Sequence, residues 1–171
     1  HPNGPFDKWY DSGFVGDVLQ VTCSDIGDKV VVGVSDDQLK VSTNFGKSFS
    51  EFVGPTIATS SADTKVKMSG DGLVHAVISK TNLYVSYDDW ATFHQHRASR
   101  DRRSLSISED GQRMITGEFT GWLYQSFDKG ETFGVQQTRR QPSQVTMDAL
   151  GKRQIIASAG RELYTSNSFG N

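Results

Sequence analysis

The sequence predicts an all-β fold: a β-propeller of four-stranded antiparallel blades, with about four repeat units in 171 residues. Three observations predict it. An eight-residue pattern, Ser-x-polar-x-x-x-Ser/Thr-Phe, is complete at 42–49, 86–93 and 126–133 and begins again at Ser166. Its starts lie 44, 40 and 40 residues apart. A period near forty with strand-like content belongs to arrays in which one supersecondary unit cannot bury its own face. Between the patterns lie short β-branched and aromatic runs punctuated by Gly turns, with no sustained 3.6-residue apolar period.

Within each unit the strands follow in a fixed order. First strands are expected at 18–23, 65–69, 104–108 and 144–148, each followed by a tight turn at 25–28, 70–72, 109–111 and 149–151. Gly in each turn supplies the positive φ that short hairpins require. Second strands at 30–34, 73–78, 114–117 and 155–158 are the most apolar and are expected to be buried on both faces. Third strands at 39–42, 83–86, 123–126 and 163–166 run into the repeated pattern, and fourth strands leave it at 49–53, 93–97 and 133–137. The units are therefore 18–53, 65–98, 104–138 and 144–171, the last completed by residues 6–11. That surplus strand is expected to pair beside the strand ending at Ser166, closing the ring and removing an exposed sheet edge. A closed four-bladed ring is the favoured arrangement. A larger ring shared by two chains and a segment of a longer propeller are the alternatives.

The repeated residues resemble the Asp-box, or BNR repeat, Ser-x-Asp-x-Gly-x-Thr-Trp/Phe, of sialidases, Vps10-type sorting receptors, some glucanases and photosystem assembly factors. The copy with Ser126, Asp128, Gly130, Thr132 and Phe133 matches at every defined position. Asn44 replaces Asp in the first copy, beside Ser42, Gly46 and Phe49. Trp90 replaces Gly in the second, beside Ser86, Asp88 and Phe93, and Ser168 replaces Asp in the last, after Ser166. The Ser and Asp oxygens are expected to accept N–H groups of their own turn. Trp90 implies a different turn in the second unit, and Phe49, Phe93 and Phe133 are expected to turn inward between blades. The resemblance implies that these boxes are structural and lie opposite any active site.

A formal charge of -2 and pI near 6.1 give no global attraction to nucleic acid, and no apolar run approaches a membrane span. Cys23, the single cysteine, reads as a small buried strand residue. The chain begins at His1, which suggests either removal of an upstream signal or propeptide, with a secreted or extracytoplasmic location, or equally a fragment; no glycosylation sequon supports secretion further.

Function is expected on the face bearing the fourth-to-first and second-to-third connections. Arg97, Arg100, Arg102, Arg103, Arg139, Arg140 and Arg161 fall there. Guanidinium groups pair bidentately with carboxylate, sulfate or phosphate, so the expected partner is a protein or an acidic glycan. The alternative reading of the same arginines is a solvated rim paired to Asp101 or Glu118. His94 and His96 share a strand face but lack a third ligand, so no metal and no cofactor are expected. Asp36-Asp37 and Asp88-Asp89 read as turn formers. Against the sialidase resemblance, the Arg-Ile-Pro segment is missing and the length does not hold six blades. Tyr84, Tyr124 and Tyr164 recur at one repeat position, which marks them as packing residues. The reading is thus a non-catalytic binding or scaffold module, with a carbohydrate-active enzyme or a fragment of one as the rival, and a homo-oligomer or a propeller completed by another chain as possible assemblies.

Overall fold

The computed structural model describes residues 11–35, 39–52, 57, 64–79, 81–97, 101–138, 141–160 and 162–169. These form four antiparallel sheets, called blades I–IV below. Blade I holds β1 (Val18–Cys23), β2 (Val30–Val34), β3 (Leu39–Ser42) and β4 (Ser50–Glu51). Blade II holds β5 (Lys65–Met68), β6 (His75–Ser79), β7 (Asn82–Ser86) and β8 (His94–Arg97). Blade III holds β9 (Arg102–Ile107), β10 (Met114–Glu118), β11 (Trp122–Ser126) and β12 (Gly134–Gln137). Blade IV has three strands among the described residues, β13 (Pro142–Met147), β14 (Gln154–Ser158) and β15 (Leu163–Ser166). In every blade the strands pair in chain order, and the architecture is propeller-like.

Both faces of the middle blades are apolar, so the core lies between sheets. Val31, Val66, Met68 and Val77 fill the I–II seam. Ala76, Ile78, Leu83, Val85, Leu105 and Met114 fill the II–III seam, and Ile115, Leu123 and Val145 the III–IV seam. Strand alternation assigns each face: Val77 points toward blade I while Ala76 and Ile78 point toward blade III. β2, β6 and β10 meet the expectation of burial on both faces apart from partly buried Val30, but β14 does not, since Ile155 is 41% exposed. Tyr84, Tyr124 and Tyr164 each point toward the preceding blade, as packing residues of a repeat should.

Backbone bonds tie the hairpin turns of successive blades into a relay. Asp25 N–H donates to Gly70 O (2.9 Å), Gly70 N–H to Glu109 O (2.8 Å) and Glu109 N–H to Ala149 O (2.8 Å). Gly70 leaves room here for the Asp25 carboxylate, from which a Cβ would stand 2.2 Å and force that side chain aside. Side chains add seam contacts: Lys29 Nζ reaches Asp89 Oδ2 at 2.7 Å, and Arg113 Nη1 donates to Leu150 O at 2.8 Å.

The Ser-x-polar turns share one geometry. Ser42, Ser86 and Ser126 hydroxyl oxygens accept the N–H of the residue four on, at 3.0, 2.8 and 2.8 Å. Asn44, Asp88 and Asp128 Oδ1 accept the N–H of Ser48, Thr92 and Thr132 at 3.0, 2.8 and 3.0 Å. In the last copy Ser166 Oγ accepts Ser168 N–H at 3.3 Å.

Several expectations are corrected. Trp90 does not change its turn: its φ of 69° matches 75° at Gly46 and 87° at Gly130. The indole compensates for this left-handed backbone by burial to 7% exposure, stacking on His75 and meeting Phe52 edge-on, both at 4.9 Å. Phe93 is 42% exposed and does not turn between blades, because the Tyr84 ring beside it leaves it on the rim. Phe49 is half-buried under Phe14, whereas Phe133 does enter the II–III seam. Cys23 is exposed, since it lies with Val21 on the side of β1 turned away from blade II. Of the closing strand 6–11, only Asp11 lies within the described residues. It is coil beside Phe45 and Lys47 of blade I, and the expected pairing of 6–10 lies outside the described residues.

Two predictions follow from the turns. Trp90→Ala should cost about 3–5 kcal/mol, as loss of a buried aromatic does. Trp90→Gly should recover about 1 kcal/mol of that by relieving the left-handed backbone. Urea midpoints of the two variants decide it, and Gly falling below Ala would contradict the shared turn.

The second concerns acid. The Thr92 hydroxyl and N–H hold the Asp88 carboxyl below its ordinary range. At Asp128 burial acts upward, but the corresponding bonds from Thr132 outweigh it. A depressed folded-state pKa contributes stability that is present above the ordinary carboxylate value and lost as pH falls through the folded value. Asp88→Asn, which copies Asn44 of blade I, should therefore narrow its stability gap to the parent as pH drops from 5 toward 2, read by urea titration at each pH.

Candidate functional site

The start of β9 and the β10–β11 turn meet at one end of blade III, on the face opposite the Ser-x-polar turns. Antiparallel pairing sets Arg102 directly beside Glu118. Both are interior: Arg102 is 2% exposed and Glu118 fully buried. Tyr124 donates its hydroxyl to Glu118 Oε1 at 2.8 Å, and Thr120 Oγ1 donates to Oε2 at 3.2 Å. The Arg102 guanidinium lies over the Tyr124 ring at 4.8 Å and near Phe133 at 5.8 Å. Its Nε and Nη1 have no hydrogen-bond partner among the described residues. Burial pulls the Arg102 pKa down, while Tyr124 and Glu118 pull it back up. A guanidinium keeps its proton in such a site, so a charge is held inside by a neighbouring carboxylate and ring faces.

Arg103 takes the other side of the strand. Its guanidinium covers the Phe119 ring at 4.3 Å, and Phe119 remains 42% exposed. The structure thus places Arg102 and Arg103 side by side on β9 but turns Arg102 inward, because β9 begins at residue 102 and its first side chain faces blade II; Arg97 is exposed on the outer strand of blade II. Arg100, Arg139, Arg140 and Arg161 lie outside the described residues. The platform formed by Phe119 and Arg103 was not singled out from sequence. An aromatic at a turn between two strands, where a polar residue is the usual choice, is the signal that marks it.

His94 and His96 both face blade III. His94 Nε2 meets the Tyr87 hydroxyl and its ring stacks on Tyr87, while His96 packs edge-on against Phe133 at 5.0 Å. Burial lowers the His96 pKa. Their directions are taken up by aromatic contacts, and among the described residues no group of three or more ligands could hold a metal.

The opposite face has a contrasting surface. The first hairpin turns converge on a depression of about 600 Å³ in which the carboxylates of Asp25, Asp28, Asp71, Glu109 and Asp110 stand beside the apolar Ile26 and Leu150. Hydrogen bonding to Asp25 raises the Glu109 pKa, with Asp25 charge adding to it. At Asp71 and Asp110 burial acts upward, and the Ser69 and Ser108 hydroxyls together with the Leu73 and Gln112 N–H groups and nearby cations outweigh it. Sequence reading treated these turns one at a time and so missed their convergence. The signal was present as acidic residues at matching repeat positions.

The two adjacent arginines should separate in a stability assay. Arg102→Ala strands the Glu118 charge and should cost about 3–5 kcal/mol. Arg103→Ala removes a partly exposed cation–π contact and should cost about 0.5–1 kcal/mol. Urea titration reads both, and similar small losses would place Arg102 on the surface.

No protein-family model matches the chain, and no curated protein matches it in sequence. Among solved structures it is similar to the GH74 enzyme of Niastella koreensis, with a TM-score of 0.68 and 20% identity. The match covers 88% of this chain but 23% of that one, so the chain spans under a quarter of its length. At this identity the likeness is one of fold: an all-β chain with the blade packing of a propeller-bearing structure.

Proposed function

We propose that this chain is an Asp-box propeller acting as a non-catalytic binding module, with a carbohydrate carrying acidic groups as its ligand. The exposed Phe119 ring beneath the Arg103 guanidinium carries the reading. A flat apolar ring suits the C–H face of a sugar, and a neighbouring fixed cation suits a carboxylate or sulfate on the same unit. The buried Arg102–Glu118–Tyr124 cluster serves as support, holding the start of β9 and the β10–β11 turn in place beneath the platform.

The second reading, a piece of a carbohydrate-active enzyme, draws support from the fold it shares with the GH74 enzyme. A glycosidase of the usual two-carboxylate kind sets both carboxyl groups toward an open cleft. Glu118, the carboxylate nearest the platform, is instead enclosed and accepts two hydroxyl groups.

Retention on immobilised sulfated and uronic-acid polysaccharides, compared with a neutral polysaccharide, tests the proposal. Parent protein should be retained on the acidic matrices at low salt and released as salt rises. Phe119→Ala and Arg103→Gln should each weaken retention roughly tenfold, corresponding to about 1.4 kcal/mol, while Asp71→Asn on the opposite face should not. Unchanged binding in both platform variants would sink the reading. Release of reducing ends from any of the polysaccharides would move the conclusion to the enzyme.

A further inference from the structure

We infer that His75, Asp89 and Trp90 form an acid-sensitive latch: the neutral imidazole holds the Ser-x-polar turn of blade II closed, and its protonation releases that turn. This goes beyond the ligand reading and does not depend on it.

Three departures from the repeat meet at one place in blade II. The residue paired with the first serine of the turn is His75, where the other blades carry Val30, Met114 and Gln154. The fourth turn position is Asp89, where they carry Phe45, Lys129 and Phe169, and the fifth is Trp90, where they carry Gly. The three side chains contact one another. Asp89 Oδ1 lies 3.1 Å from His75 Nε2, and the His75 ring stacks on the Trp90 indole at 4.9 Å. Asp89 and Trp90 are both left-handed, with φ of 55° and 69°. A tryptophan keeps such backbone only where its surroundings enforce it. The indole N–H has no hydrogen-bond partner among the described residues. Packing therefore holds the ring, with His75 stacked on it and Phe52 edge-on.

The slot accepts one protonation state. His75 is 2% exposed. Donation from Nε2 to Asp89 leaves Nδ1 as a bare acceptor, and Nδ1 has no partner among the described residues. An imidazolium carries a second N–H at Nδ1 and needs an acceptor for it. The nearby Gly72 carbonyl already accepts Lys29 Nζ at 3.1 Å. Two charged groups face the ring, Asp89 from its own blade and Lys29 from the blade I hairpin, and they act in opposite directions. Asp28, Asp71 and Asp88 on the same elements are turned to Ser24, Ser69 and Thr92, and β5 presents Met68. Burial outweighs Asp89 and lowers the His75 pKa. A histidine with a depressed folded-state pKa contributes stability that is present above its ordinary value, about 6.5, and lost as pH falls below it. Acid thus favours the imidazole outside the slot, and Trp90 loses its stacking partner.

Hydrogen exchange of the 171-residue chain, followed by mass spectrometry and corrected for the intrinsic pH dependence, tests the latch. The turn at 126–133, built on Met114 and Gly130, is the control within the same molecule. Its Asp128 matches Asp88, so carboxylate titration affects both turns alike. Between about pH 7.5 and 5.5, protection of the 86–93 turn should fall by up to about tenfold, while 126–133 stays within about twofold. His75→Met, which installs the residue blade III carries there, should abolish the fall. Asp89→Asn keeps an oxygen for Nε2–H but removes the charge favouring the imidazolium, so the fall should move to lower pH. Imidazole nitrogen chemical shifts of the parent need no variant and should place half-protonation of His75 below its ordinary value. An equal fall in both turns, a fall that persists in His75→Met, or an Asp89→Asn profile moved to higher pH would overturn the inference. So would a His75 that is protonated at its ordinary pH while the 86–93 turn stays protected.

Discussion

One backbone bond per unit holds each blade in shape. The N–H at the fourth position of every Ser-x-polar turn, at Phe45, Asp89, Lys129 and Phe169, donates to the hairpin of the same blade, at Asp28, Leu73, Gln112 and Lys152, with lengths of 2.9–3.1 Å. To reach that carbonyl the chain takes a left-handed residue, with φ of 55–62° at all four positions. Strain of that kind persists where the surroundings over-determine it. The Ser hydroxyl in the first three copies captures the following left-handed N–H and the Asn or Asp carboxyl-type oxygen captures the one beyond. Each bond contributes about 1 kcal/mol. Together they fasten the third-to-fourth connection to the first-to-second hairpin, and so keep the relay of turns in register from blade to blade.

That dependence explains how much was legible in the sequence. Strand order, turn positions and the recurring Tyr were readable because local patterns repeat with the structure. Seam geometry was not. Trp90 suggested a different turn since left-handed backbone favours Gly, but His75 and Phe52 supply a slot that holds the indole in the same turn. Cys23 suggested burial from its strand, yet which side of an end blade meets a neighbour is a tertiary fact. Arg102 sat in a run of arginines that read as one solvated loop. The strand starts two residues earlier than its apolar pattern suggested, and that places the second arginine of 102–103 outward and the first inward. Phe93 and Phe133 occupy one repeat position, but only Phe133 has His96 and Arg102 to close over it.

The charge distribution follows from the same frame. Turns on the Ser-x-polar side need side-chain acceptors to satisfy their own N–H groups, so Asp is placed there for local reasons and its charge accumulates around the axis. Asp71 accepts from Leu73 N–H and Asp110 from Gln112 N–H, both at 3.0 Å. The carboxylates of the depression are thus a by-product of turn construction, and the raised Glu109 pKa follows from its hydrogen bond to Asp25, with the Asp25 charge adding to it. On the opposite face Phe119 and Arg103 pair with each other on an exposed edge.

Departures from the repeat therefore separate into two kinds. Some are absorbed by packing: Asn44 keeps the acceptor of Asp88 and adds a donor to Ser48 Oγ at 2.8 Å, and Trp90 replaces the room of Gly with ring contacts. Others stay at the surface: Ile26 and Leu150 stand where blades II and III have Asp, and both line the depression on which the first hairpin turns converge.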